Sequence, residues 1–183
     1  MTLNIKLLET SFEKIKPNTI EFSASFYQKL FTYHPELKSL FANTDLVAQE
    51  KKLIASLALI VENLHNPEEL TNALKSLGAY HHQIGALPEH YPYIGQALIE
   101  TFAEYLDHDW NREVERAWID AYNLISEIML AGAKNPGDYL GGELTFYDWL
   151  DLYGESSSTV KEMIINTTHF EYRNSQVIHK SFE

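Results

Sequence analysis

The sequence predicts an all-α fold of about seven helices over residues 1–137, followed by an acidic extension over residues 138–183, and three observations predict it. Apolar residues recur at helical spacing in one segment after another. Each segment closes on proline, glycine or a capping residue. Before residue 134 no run of alternating apolar and polar residues reads as a strand.

The first segment, residues 3–16, sets Leu3, Leu7, Leu8, Phe12 and Ile15 on one face, and Pro17 stops it because proline lacks the N–H that the next turn needs. Asn18 and Thr19 can cap a second helix reaching Tyr33, with Phe22, Phe26, Leu30 and Tyr33 in one stripe; His34-Pro35 ends it. Pro35–Phe41 has room only for a tight helical turn. From Leu46 an amphipathic helix carries Leu53, Leu57, Ile60, Val61 and Leu64 and ends near His65-Asn66-Pro67. Pro67-Glu68-Glu69 starts the next, proline at a first position and acids at the positive end of the dipole, and it runs to about His82 with its end near Gly85. Pro88-Glu89 repeats that start for a helix through about Asp107. Asn111 opens a last long helix bearing Val114, Trp118, Ala121, Leu124, Ile125, Ile128 and Met129.

Asn135-Pro136-Gly137 and Gly141-Gly142 then change the composition, so the globular part ends near residue 137. The extension mixes aromatics with acids and carries a net charge of −5, leaving −7 for residues 1–137. The whole chain, 183 residues with 45% apolar content, can bury a core of its own. Its net charge of −12 repels phosphate backbones and anionic bilayers, which sets nucleic-acid and membrane-surface binding aside. Without cysteine there is no disulfide, thiolate metal site or thioether-linked cofactor. No stretch approaches the ~20 apolar residues of a spanning helix, and the amino terminus lacks an unbroken apolar core, so a soluble cytoplasmic protein is expected.

Helices in this order, with connections too short for an up-and-down bundle, suit a helical sandwich able to pocket a flat cofactor. Polar residues inside otherwise apolar helices sharpen the reading: Tyr27 in the second, Gln49 near the head of the third, His81 late in the fourth. The runs SFYQKLFTYHPELKSLF and LGAYHHQIGALPEHYPYIGQAL resemble globins of the single-domain bacterial type related to flavohaemoglobins, over residues 3–133. The resemblance implies the globin fold and haem b held without covalent attachment. It makes His81 the iron ligand, Tyr27 and Gln49 the distal pair facing bound gas, Leu53 an apolar gate, Phe41 the aromatic that wedges the haem, and Tyr91 a tyrosine lying against the proximal histidine. Lys52 is a candidate partner for a haem propionate, or a simply solvated lysine. His82 competes with His81, but adjacent residues on a helix point about 100° apart, so only one can address an iron.

Imidazole is a suitable axial ligand, and an apolar cleft protects ferrous iron from water-promoted oxidation. Phenol and amide donors favour oxygen over the less polar carbon monoxide by roughly 1.5–3 kcal/mol per hydrogen bond. The expected ligands are oxygen, nitric oxide or carbon monoxide, bound for storage, scavenging or sensing. A sensor would pass the signal through the extension to a partner or to a second copy of the chain. Nitric oxide dioxygenation is the alternative and needs a separate reductase, since no dinucleotide glycine fingerprint is present. The acidic residue that such enzymes carry on the last helix falls at Ala131 by the resemblance. Haem-free stress sensors and bilin-binding proteins share the fold, and the absence of cysteine counts against a bilin.

Overall fold

A computed structural model describes residues 3–139, which form six α-helices joined by short turns, with no strand among the described residues. These are α1 (Ile5–Ile15), α2 (Thr19–Tyr33), α3 (Leu46–Glu62), α4 (Pro67–Gln83), α5 (His90–Leu106) and α6 (Arg112–Lys134). The stretch expected as a seventh helix, Pro35–Phe41, winds as a 3-10 segment. The expected boundary at residue 137 falls in a last 3-10 turn, Pro136–Asp138, and most of the acidic extension lies outside the described residues.

Side chains satisfy three of the helix starts. Asn4 accepts from the Leu7 N–H at 3.2 Å, Asp45 from Val47 and Ala48, and Asn111 from Glu113 and Val114, each pairing backbone donors that no helical carbonyl reaches. The end of α4 is set by Gly85, whose φ of 91° is open to glycine at little cost. There the Ala86 N–H reaches back to the His81 carbonyl and the Gly85 N–H to that of His82, a Schellman arrangement. The next helix begins at His90, two residues later than Pro88-Glu89 suggested. The delay has a visible cause: residues 87–90 close a turn, with the His90 N–H on the Leu87 carbonyl and His90 Nδ1 accepting the Leu87 N–H at 3.1 Å.

Aromatic packing binds the layers. Phe102 of α5 stacks on Trp118 of α6 at 3.8 Å and meets Phe22 of α2 at 4.9 Å, and the Trp118 indole N–H donates to Ser11 Oγ of α1 at 2.9 Å. Each of these aromatics is buried, and truncating one costs about 3–5 kcal/mol. The closest crossing is α4 against α6. A Cβ at Gly78 would lie 1.9 Å from the Met129 carbonyl oxygen, and one at Gly132 would lie 2.0 Å from that of Lys75. The two backbones therefore touch. By contrast α3 packs on α1 and α2, and although it precedes α4 directly, the two scarcely meet. The two helices stand apart.

Candidate functional site

The residues singled out in the sequence fall into two groups, one around α3 and one on α4. On the α3 side Tyr27 is buried at 5% exposure, and the Gln49 side chain lies beside its hydroxyl. Burial pushes the Tyr27 phenol up to about 12, against a smaller lowering by Gln49, so it stays a proton donor throughout the ordinary pH range. Its ring meets Phe26 edge-on at 4.9 Å, Phe41 at 5.7 Å and Phe31 at 5.8 Å, and Phe31 meets Phe41 at 5.3 Å. These contacts fix the phenol in place while Phe41 and Leu53 remain only partly buried. Lys52, on the same helix, is exposed.

On the α4 side the backbone settles which histidine points inward. His82 is exposed, whereas His81 is only partly accessible and its Nδ1 lies 2.8 Å from the Leu77 carbonyl oxygen one turn back. A carbonyl can only accept, so the proton sits on Nδ1 and the lone pair is left on Nε2. Lost hydration lowers the basicity of His81, outweighing the opposite effect of the Leu77 hydrogen bond, and the ring is kept neutral. Neutral imidazole with its second nitrogen tied to a carbonyl is the form in which histidine ligates a metal. A haem fits this donor set: one neutral nitrogen base on α4, an apolar and aromatic opposite wall, and two hydrogen-bonding groups within it.

Tyr91, half-buried in the first turn of α5, has its phenol raised by burial, and its backbone carbonyl accepts the Tyr122 hydroxyl at 2.5 Å. Ala131 is exposed, and the side chain that α6 offers to the start of α5 is Tyr122.

The Globin family signature matches residues 24–129, more than half of the chain. The chain belongs to the globin family. Among its relatives, a flavohemoprotein of Rhizobium meliloti is 34% identical over 112 residues, covering 60% of this globin and 28% of that protein. A globin-like protein of Aquifex aeolicus is 29% identical over 130 residues, covering 71% of this globin and 91% of the relative. This globin thus spans under a third of the flavohemoprotein's length and nearly all of the Aquifex protein's. Of solved structures, an engineered carbene transferase from Rhodothermus marinus superposes with a TM-score of 0.67 at 25% identity, over 76% of this globin and 99% of that chain. A bacterial globin of Campylobacter jejuni superposes at 0.63 with 22% identity, over 73% and 96%, a likeness of fold.

Three features escaped the sequence reading. Glu50 follows Gln49 on α3, is raised by partial burial and adds a negative field at Tyr27; its place beside Gln49 was the available signal. His34 stacks flat on Tyr93 at 3.8 Å, joining the end of α2 to α5, where the sequence suggested only a turn residue. The Gly78–Gly132 crossing had no signal, since a lone glycine in a helical pattern reads as a weak spot. Among the described residues no group of three His, Cys, Asp or Glu side chains could hold a metal. No helix of the described residues is long and apolar enough to cross a membrane.

Proposed function

We propose that this globin binds haem b between α3 and α4, with His81 as the ligand to iron, and that its role is to bind a diatomic gas: oxygen, nitric oxide or carbon monoxide. Residues 1–137 make the globin domain and 138–183 an appended acidic segment. When bound, the haem supplies a ferrous iron with one site open to gas. The chain's own residues do the rest. His81 Nε2 holds the iron while Leu77 keeps the imidazole in the required tautomer and orientation. Phe41 and Leu53 form an apolar wall that excludes water, Tyr91 closes the α5 side, and Lys52 takes a propionate. The absence of cysteine leaves packing and His81 to retain the group.

The feature that carries this reading is the buried Tyr27 phenol with the Gln49 side chain beside its hydroxyl, two donors in an otherwise aromatic and aliphatic wall. A phenol buried at 5% exposure keeps its proton and aims it at whatever polar atom enters. Such a pair retains a polarised ligand by roughly 1.5–3 kcal/mol, so tight oxygen binding is expected over ready delivery.

The test is optical. Ferric, dithionite-reduced and carbon monoxide-treated spectra are recorded for the haem-supplied wild type and for His81→Ala, with far-ultraviolet circular dichroism on both. A Soret band that shifts with carbon monoxide in the wild type and is lost or altered in a still-helical His81→Ala is the expected result. A colourless wild type, or a spectrum indifferent to His81, overturns the assignment.

A further inference from the structure

A concavity lies between α5 and α6, a groove of about 950 Å³. Its apolar lining comes from Leu3, Ile99, Ile119 and Leu124, and the last two are among the few large aliphatic side chains that the fold leaves exposed, at 37% and 41%. Tyr122 forms part of its wall, and through the bond to the Tyr91 carbonyl it joins the groove to the start of α5. The lined part of α5 runs from Tyr91 to Glu100, about 13 Å of helix at 1.5 Å per residue. That is an open trough matching two to three turns of a second helix.

The charges along the trough select its occupant. Glu100, Asp120 and Glu127 line it, and no lysine or arginine does. Asp120 is partly answered by Arg116 at 3.7 Å and Glu100 accepts a hydrogen bond from Gln96, while Glu127 completes an acidic rim. A second copy would bring another −12 to this rim, and the extension brings −5, so like charges oppose both. The geometry points to a docking site for a basic amphipathic helix of another protein, its apolar residues at i, i+3/i+4 and i+7 seated between Ile119, Leu124 and Ile99, and its lysines or arginines meeting Glu100, Asp120 and Glu127. Apolar burial would supply the affinity and the carboxylates the choice of partner, as when an amphipathic helix enters a complementary groove.

A fluorescein-labelled 18-residue leucine–lysine amphipathic peptide serves as the probe, titrated by anisotropy into the full-length, haem-supplied protein. Saturable binding is expected to weaken at least tenfold in Ile119→Ser/Leu124→Ser, and severalfold in Glu127→Gln. Higher salt weakens it too, and a peptide with glutamate for lysine does not bind. Both variants alter exposed side chains, and unchanged circular dichroism confirms that they fold. Equal affinity for wild type and variants overturns the proposal, since the peptide is then reading net charge alone. A dimer in sedimentation that Ile119→Ser/Leu124→Ser dissolves overturns it in favour of a second copy. Tenfold tighter peptide binding after removal of residues 140–183 overturns it in favour of the extension.

Discussion

The two sides of α4 are built to opposite rules. Toward α6 the helix is so close that backbone meets backbone at Gly78 and Gly132; toward α3 it stands off, and the residues along that side are half-buried aliphatics, aromatics and one neutral histidine. The first arrangement fixes a helix, because backbone contacts cannot adjust as side chains can. The second leaves room. His81 lies three residues beyond Gly78, so the imidazole projects from a part of α4 within one turn of the backbone contact that holds it. A ligand to metal needs such a backing, since a loosely held first shell weakens binding steeply.

The largest effect should follow from breaking the tight side. Gly132→Val sets two methyl groups where even one carbon would lie 2.0 Å from a carbonyl oxygen, so α4 and α6 must part; a loss of about 3 kcal/mol or more is expected in chemical denaturation. Gly137→Ala, which meets nothing within 4 Å, is the matched control and should shift stability by no more than about 0.5 kcal/mol. Native stability in Gly132→Val would mean that the helices are not in backbone contact.

On the open side the corresponding change is Tyr27→Phe, which keeps the ring contacts with Phe26, Phe31 and Phe41 and removes the hydroxyl. Stability should move by about 1 kcal/mol or less, while oxygen release followed by stopped flow accelerates about 10- to 100-fold, the value of one charge-assisted hydrogen bond. An unchanged rate would show that the phenol does not face the gas. Below both in size comes Gly85→Ala. Alanine at φ 91° strains the end of α4, and about 1–2 kcal/mol of stability should go with it.

The contrast between the two sides also explains what the sequence made legible. Five of the six helices were readable to within a few residues because Asn18, Pro67 and Asn111 mark starts, Pro17 and Pro35 mark ends, and periodic leucine and phenylalanine mark the buried faces. The start of α5 was misplaced because Pro88-Glu89 carries the chemistry of a first turn, while the actual start depends on a side-chain bond from His90 that no local pattern signals. Tyr27, Gln49 and His81 stood out as polar residues in apolar stripes, and resemblance supplied the roles proposed for them. The choice between His81 and His82 needed the Leu77 carbonyl, which settles the tautomer. The α4–α6 crossing is a relation between glycines 54 positions apart in the chain, and neither one declares its partner.

The smallest test bears on a polar contact between α2 and α5. The Lys29 ammonium bonds to Glu104, and Ser25 adds a hydrogen bond to the same carboxylate at 3.2 Å. Chiefly through the Lys29 hydrogen bond, the Glu104 carboxyl is held below its ordinary range. Because the folded value is the lower one, the stabilisation is complete above the unfolded value of about 4.3 and fades as pH falls through the folded value. Glu104 is half exposed, so solvent screens the pair and only a few tenths of a kcal/mol are at stake. Glu104→Gln should therefore lower stability slightly at pH 7 and leave it unchanged near pH 2, where the wild-type carboxyl is also uncharged. A loss that persists at pH 2 would place the contribution in packing between α2 and α5, and the acid limb of the stability curve would then belong to other carboxylates.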